Sequence, residues 1–171
     1  MRRWLSVVLG TVLVIGSISA AAGATSRDDD PRAVLKFRTM APVTGPFVGG
    51  DNPVRGLAGG GFAWKLDRAH GKLRSDGHLT VAVRGLVLVD DDPVPEPLRG
   101  TNPIPAFQAV VSCLTIDHGT AATTNVATDP FPASTSGDST IEATLDLPSP
   151  CIAPVVFVGP SPTVWFAATG A

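Results

Sequence analysis

The sequence predicts an all-β protein, an antiparallel β-sandwich, with a closed β-barrel as the alternative. Three observations predict it. Beyond residue 24, no window repeats apolar residues at helical spacing over more than about two turns. Apolar and polar residues instead alternate in short runs, the pattern of half-buried strands. The chain's 18 glycines and 16 prolines are frequent between those runs, where they favour turns.

The first element is the exception. Met1, Arg2 and Arg3 precede an apolar run over 4–18 and a small-residue stretch over 19–24. This is the layout of a cleavable export signal, residues 1–24, with a helical apolar segment. The run is shorter than the about 20 apolar residues a membrane-spanning helix needs. Ala22 and Ala24 supply the small side chains that signal peptidase requires, so the cut is expected between Ala24 and Thr25, with a cut after Ala22 as second choice. Arg2 and Arg3 fit ordinary Sec export as well as twin-arginine export. Residues 25–33 carry Asp28, Asp29, Asp30 and Pro31 and read as a polar linker. One β-sandwich domain is expected over 34–171.

In the run 34–40, Leu35, Phe37 and Thr39 share one face and Lys36 and Arg38 the other. A Gly- and Pro-rich loop follows over 42–61. Phe62, Trp64 and Leu66 alternate with Ala63, Lys65 and Asp67 as a second strand. Residues 72–74 start a third, and Ser75-Asp76-Gly77 then reads as a hairpin turn. In 78–89, Leu79, Val81 and Val83 alternate with Thr80, Ala82 and Arg84 until Gly85, which marks a bulge or bend. A second long loop, 90–105, is rich in proline. Strands are expected over 107–116, weakly over 125–128, clearly over 140–147, then over 155–158 and 164–169.

Cys113 and Cys151 are the only cysteines. After export they would meet an oxidising compartment, where two thiols form a disulfide. The expected bond ties two late strands together, in the manner of an inter-sheet staple. The competing reading makes Cys113 a nucleophile beside His118, which requires both thiols to stay free outside the cell.

Few residues suggest chemistry. Asp90, Asp91, Asp92 and Glu96 are the only candidate metal ligands, for calcium. Their acids are adjacent rather than alternate, and Pro93, Pro95 and Pro97 interrupt them, so a solvated acidic loop is expected. His70, His78 and His118 have no zinc-site spacing. No Gly-x-Ser-x-Gly elbow is present, and Glu96 and Glu142, the two glutamates, make no recognisable acid pair. No catalytic residue and no cofactor are therefore expected. Trp64 shares a face with Phe62 and Leu66 and reads as core. Trp165 alternates against Val164, Phe166 and Ala168 and is the candidate for an exposed ligand surface. The chain has 13 Lys+Arg against 15 Asp+Glu, and no run of basic residues lies outside the signal. Nucleic acid is not an expected partner, and no second long apolar run points to membrane insertion after cleavage.

The segment Gly60-Gly61-Phe62-Ala63-Trp64, the strand-turn-strand from Gly71 to Leu86, and the ending from Gly137 through Pro148, Cys151 and Val155 to Trp165 resemble a group of small secreted β-domain proteins of high-GC bacteria. That group has no assigned function, so the resemblance implies export and a β fold and carries over no site residue. The Gly-Lys-Leu and Gly-His-Leu-Thr-Val hairpin bears a fainter likeness to the CHRD domain, whose His-rich segment this chain lacks. The expected function is a non-enzymatic binding or structural module, secreted or held at the cell envelope, with a cell-wall or extracellular ligand. The alternative is a secreted hydrolase whose site is built from distant residues.

Overall fold

A computed structural model describes residues 31–169. The signal, its Ala24/Thr25 cut and all but the last three residues of the linker lie outside them.

The strands are β1 Ala33–Phe37, β2 Ala41–Pro42, β3 Ala58–Gly59, β4 Trp64–Lys65, β5 Arg68–Arg74, β6 His78–Arg84, β7 Val87–Leu88, β8 Ala106–Asp117, β9 Thr120–Ala127, β10 Phe131–Pro132, β11 Ser139–Thr144, β12 Ile152–Gly159, β13 Val164–Trp165 and β14 Ala167–Ala168. The only helical turns among the described residues are 3-10, at Gly45–Phe47 and Glu96–Leu98. One sheet has the order β1-β5-β6-β11 and is antiparallel throughout. A second large sheet runs β10-β8-β12-β14-β2, with β9 also paired to β8, and β13-β3 and β4-β7 form two short two-stranded sheets. Neither sheet closes on itself, so the sandwich expectation holds and the barrel alternative does not.

Alternation places the core between the sheets. Leu73 of β5, Leu79, Val81 and Val83 of β6 and Ile141 of β11 turn inward from the first sheet. Phe107, Ala109, Val111 and Cys113 of β8, with Val156 and Val158 of β12, turn inward from the second. All are buried in one hydrophobic cluster. At one end of that cluster Trp64 stacks on Phe166 with ring centroids 3.8 Å apart, and Phe107 meets Phe166 edge-on at 6.0 Å.

The β5–β6 hairpin turns where Ser75-Asp76-Gly77 foretold it. Gly77 takes φ +81°, and the His78 N–H donates to Asp76 Oδ1 at 3.0 Å. Gly85, at φ +66°, ends β6, and its N–H donates to Asp138 Oδ1. Other expectations are corrected. The 62–66 run forms only the two-residue β4, because its partner β7 is equally short. The weak strand expected at 125–128 is the last part of the eight-residue β9. It folds back from β8 through the two-residue turn His118-Gly119, both at positive φ, the hairpin geometry that matches strand twist. The run expected over 164–169 breaks at Phe166: β13 pairs in parallel with β3, and β14 then pairs with β12 and β2.

Cys113 and Cys151 are disulfide-bonded, with Cα atoms 4.9 Å apart. The bond does not join the two sheets. Ile152 is paired with Leu114, so it ties β8 to the start of β12 within one sheet.

Candidate binding face

The outward face of the four-stranded sheet is built from the polar positions of three alternating runs. On β5 these are Arg68, His70, Lys72 and Arg74; on β6, His78, Thr80, Ala82 and Arg84; on β11, Thr140, Glu142 and Thr144. Lys36 adds to the row from β1. The register sets Arg68 directly opposite Arg84, and Lys36 directly opposite Lys72. Directly opposed like charges sit about 5 Å apart at Cβ and destabilise a sheet.

Little neutralises them. Five of the ten lysines and arginines in residues 31–169 lie on this face, against one of the twelve acids, Glu142. Glu142 is 3.6 Å from His78 Nε2. Arg74 Nε lies 3.8 Å from Asp76 Oδ2, too far for a hydrogen bond, and has no acceptor. Arg84 donates to the Val83 and Ser139 carbonyls. Lys36, Arg68 and Lys72 form no ion pair among the described residues.

The face is also grooved. The small side chains of Thr80 and Ala82 on central β6 lie between His70 on one side and Thr140 and Glu142 on the other, enclosing a hollow of about 120 Å³. Beyond the Arg74 end of β5 lies a larger cleft of about 420 Å³, lined by Arg32, Arg74, Ser75, Ser149 and the disulfide's Cys151 over an apolar floor of Val34, Leu147 and Pro148. Cations, hydroxyls and small side chains are what a hydrated anionic ligand needs for recognition.

The residues singled out in the sequence fare differently. Trp165 is a correction: it is only 4% exposed. Its ring packs against Phe157 and tilts toward Phe47, at 5.8 and 6.4 Å. Alternation fails there because both rings find partners: Trp165 packs against Phe157, and Phe166, just past β13, packs on Trp64 and Phe107, so both are buried. A separate apolar hollow of about 270 Å³ is lined by half-buried Phe62, Leu98 and Ile104 and by the buried Trp64 and Phe166. The side chains of Asp90, Asp91, Asp92 and Glu96 do not converge on one point. Asp91 accepts the Asp92 N–H, Asp92 pairs with the Arg99 guanidinium, and Glu96 opens the second 3-10 turn. Among the described residues no three His, Cys, Asp or Glu side chains converge as metal ligands. The Cys113 nucleophile reading falls with the disulfide, since a sulfur already bonded to Cys151 has no thiolate to offer. His118 is 97% exposed at the β8–β9 turn.

Sequence reasoning missed the basic face because its cations are never adjacent. Along β5 they alternate with the inward Ala69, Gly71 and Leu73, and cross-strand register alone brings Lys36 to Lys72 and Arg68 to Arg84. The signal was the polar half of each period-2 run.

No protein-family model, curated protein or solved structure matches the chain. The disulfide belongs to the chemistry of an oxidising compartment, and no helix among the described residues is long and apolar enough to cross a membrane.

Proposed function

We propose that this protein is an exported, non-enzymatic binding module of the cell surface or its surroundings, and that the outward face of the β1-β5-β6-β11 sheet is its binding face. One observation carries this reading: two pairs of like charges stand directly opposite each other in the register, Arg68 with Arg84 and Lys36 with Lys72. A fold selected only for stability gains nothing from such pairs. Binding sites hold features that cost stability and are repaid when ligand arrives. The export signal read at 1–24 and the disulfide support an extracytoplasmic destination.

The reading makes a stability prediction that needs no ligand. Arg68→Ala and Lys36→Ala, each relieving one repulsive pair, should raise the unfolding free energy by roughly 0.2–1 kcal/mol. Urea unfolding at low salt measures it, and the gain should shrink as salt screens the pairs. A loss of stability in both variants would mean that these cations serve the fold and would remove the reading.

A further inference from the structure

Resting on that reading of the sheet face, we infer that its ligand is a linear anionic polysaccharide, lying along β5 and β6 from the Arg68/Arg84 pair to the Arg32/Arg74 cleft. Length supports a polymer. Arg68 and Arg74 are six residues apart on one strand, which sets them about 20 Å apart at about 3.3 Å per residue. A single small anion reaches one end of that row only. A chain bearing a charge on each repeat meets Arg68 and Arg84 at one end, His70 and Lys72 midway, and Arg74 at the other. The cleft at that end is lined by the Arg32 and Arg74 side chains.

The groove favours sugar over nucleic acid. Single-stranded nucleic acid is held by stacking its bases on aromatic side chains. This face offers no phenyl or indole ring; the Trp64 and Phe166 rings stack in the core behind it. Between the cations it offers instead the Thr80 and Thr140 hydroxyls beside Ala82, a floor low enough for a chain to lie in. Hydroxyls set between fixed cations match a polymer that alternates hydroxyl and carboxylate groups.

The test uses the chain as an exporting host delivers it. Binding is measured by calorimetry to polygalacturonate, to the same polymer methyl-esterified so that its charge is gone, and to a single-stranded thymidine oligonucleotide. We expect binding to polygalacturonate alone, weakening as salt rises. The Arg68→Ala/Lys72→Ala double variant should bind about tenfold more weakly or worse, the consequence of losing charge-assisted hydrogen bonds. Equal binding to the esterified polymer would overturn the anionic assignment and leave the face as a binding surface. Tighter binding of the oligonucleotide at equal salt would overturn the polysaccharide. Binding that the double variant retains in full would overturn the location, and failure to bind polygalacturonate at all would overturn the inference. The reading of the face itself fails separately, through the ligand-free unfolding measurements on Arg68→Ala and Lys36→Ala.

Discussion

Asn102 is a buried polar residue that joins two loops. It is 3% exposed, within a loop that composition alone marks only as irregular. Its Nδ2 donates to the Ile104 and Ser134 carbonyls at 2.7 and 2.8 Å, and its Oδ1 accepts the Ile104 N–H at 2.9 Å. One side chain thereby ties the 90–105 loop to the turn before β11. Asn102→Ala would leave these partly buried groups without their partner, so we expect a loss of about 1–3 kcal/mol in urea unfolding. Gly137 is comparable for a steric reason. It sits at φ +77°, and an added Cβ would overlap the Leu86 carbonyl. Gly100 also has positive φ, +64°, but nothing lies within 4 Å of its Cβ position. Gly137→Ala should therefore cost distinctly more stability than Gly100→Ala, and equal costs would show that the backbone near Leu86 yields. Neither site was legible in the sequence, because both depend on what a distant segment brings alongside. Trp165 failed for the same reason: alternation reports which residues share a face, not whether the chain elsewhere covers it.

At the scale of elements, strands stood out where one face is buried and the other wet. In β6 and β11 the inward Val81, Val83 and Ile141 alternate with outward Thr80, Ala82 and Glu142, and both strands were read to within a few residues. β9 was mostly missed. Its sequence, Thr120-Ala-Ala-Thr-Thr-Asn-Val-Ala, is uncharged and only weakly patterned, and it folds because β8 presents a long template. The two-residue His118-Gly119 turn was its one local mark. The β8–β9 tip lacks a core on its outer side, with Ile116 59% exposed. Gly119, at φ +82°, sets the turn, so Gly119→Ala should strain it. Amide exchange should then accelerate along β9 while β5, β6 and β11 stay protected, a separation expected of strands in different sheets. Uniform acceleration in both sheets would show instead that the hairpin is part of the global unfolding unit. The basic face also belongs to this scale, since no strand alone is strongly cationic and the register makes the cluster.

Over the whole molecule, the two sheets close one core and the disulfide secures one of them. Cys113 and Cys151 are 38 residues apart in sequence. Closing a loop of that length removes about 4 kcal/mol of unfolded-state freedom in the chain-entropy account. The Cys113→Ala/Cys151→Ala variant should unfold at correspondingly lower urea, and reductant should lower the unmodified protein toward the same midpoint. Alkylation without reductant, read by intact mass, should add no groups to the exported chain, and a mass matching residues 25–171 would place the cut after Ala24. Pairing of the two cysteines followed from their number and the export signal. Their position within one sheet did not, because strand order is set by long-range packing that periodicity does not report.

Charge is divided across the same molecule. The described residues carry more acids than bases, yet the β5–β6 face carries Lys36, Arg68, Lys72, Arg74 and Arg84 against Glu142 alone. The most direct test of the account is to map a polygalacturonate fragment onto the ¹⁵N-labelled protein by amide chemical shifts. Shifts confined to the Arg68, His70, Lys72, Thr80, Ala82 and Thr140 amides, continuing to Arg74 and Ser75, are the expected result. Shifts centred on the Trp64, Leu98 and Phe166 hollow, or on the β8–β9 hairpin, with the sheet face unmoved, would contradict it.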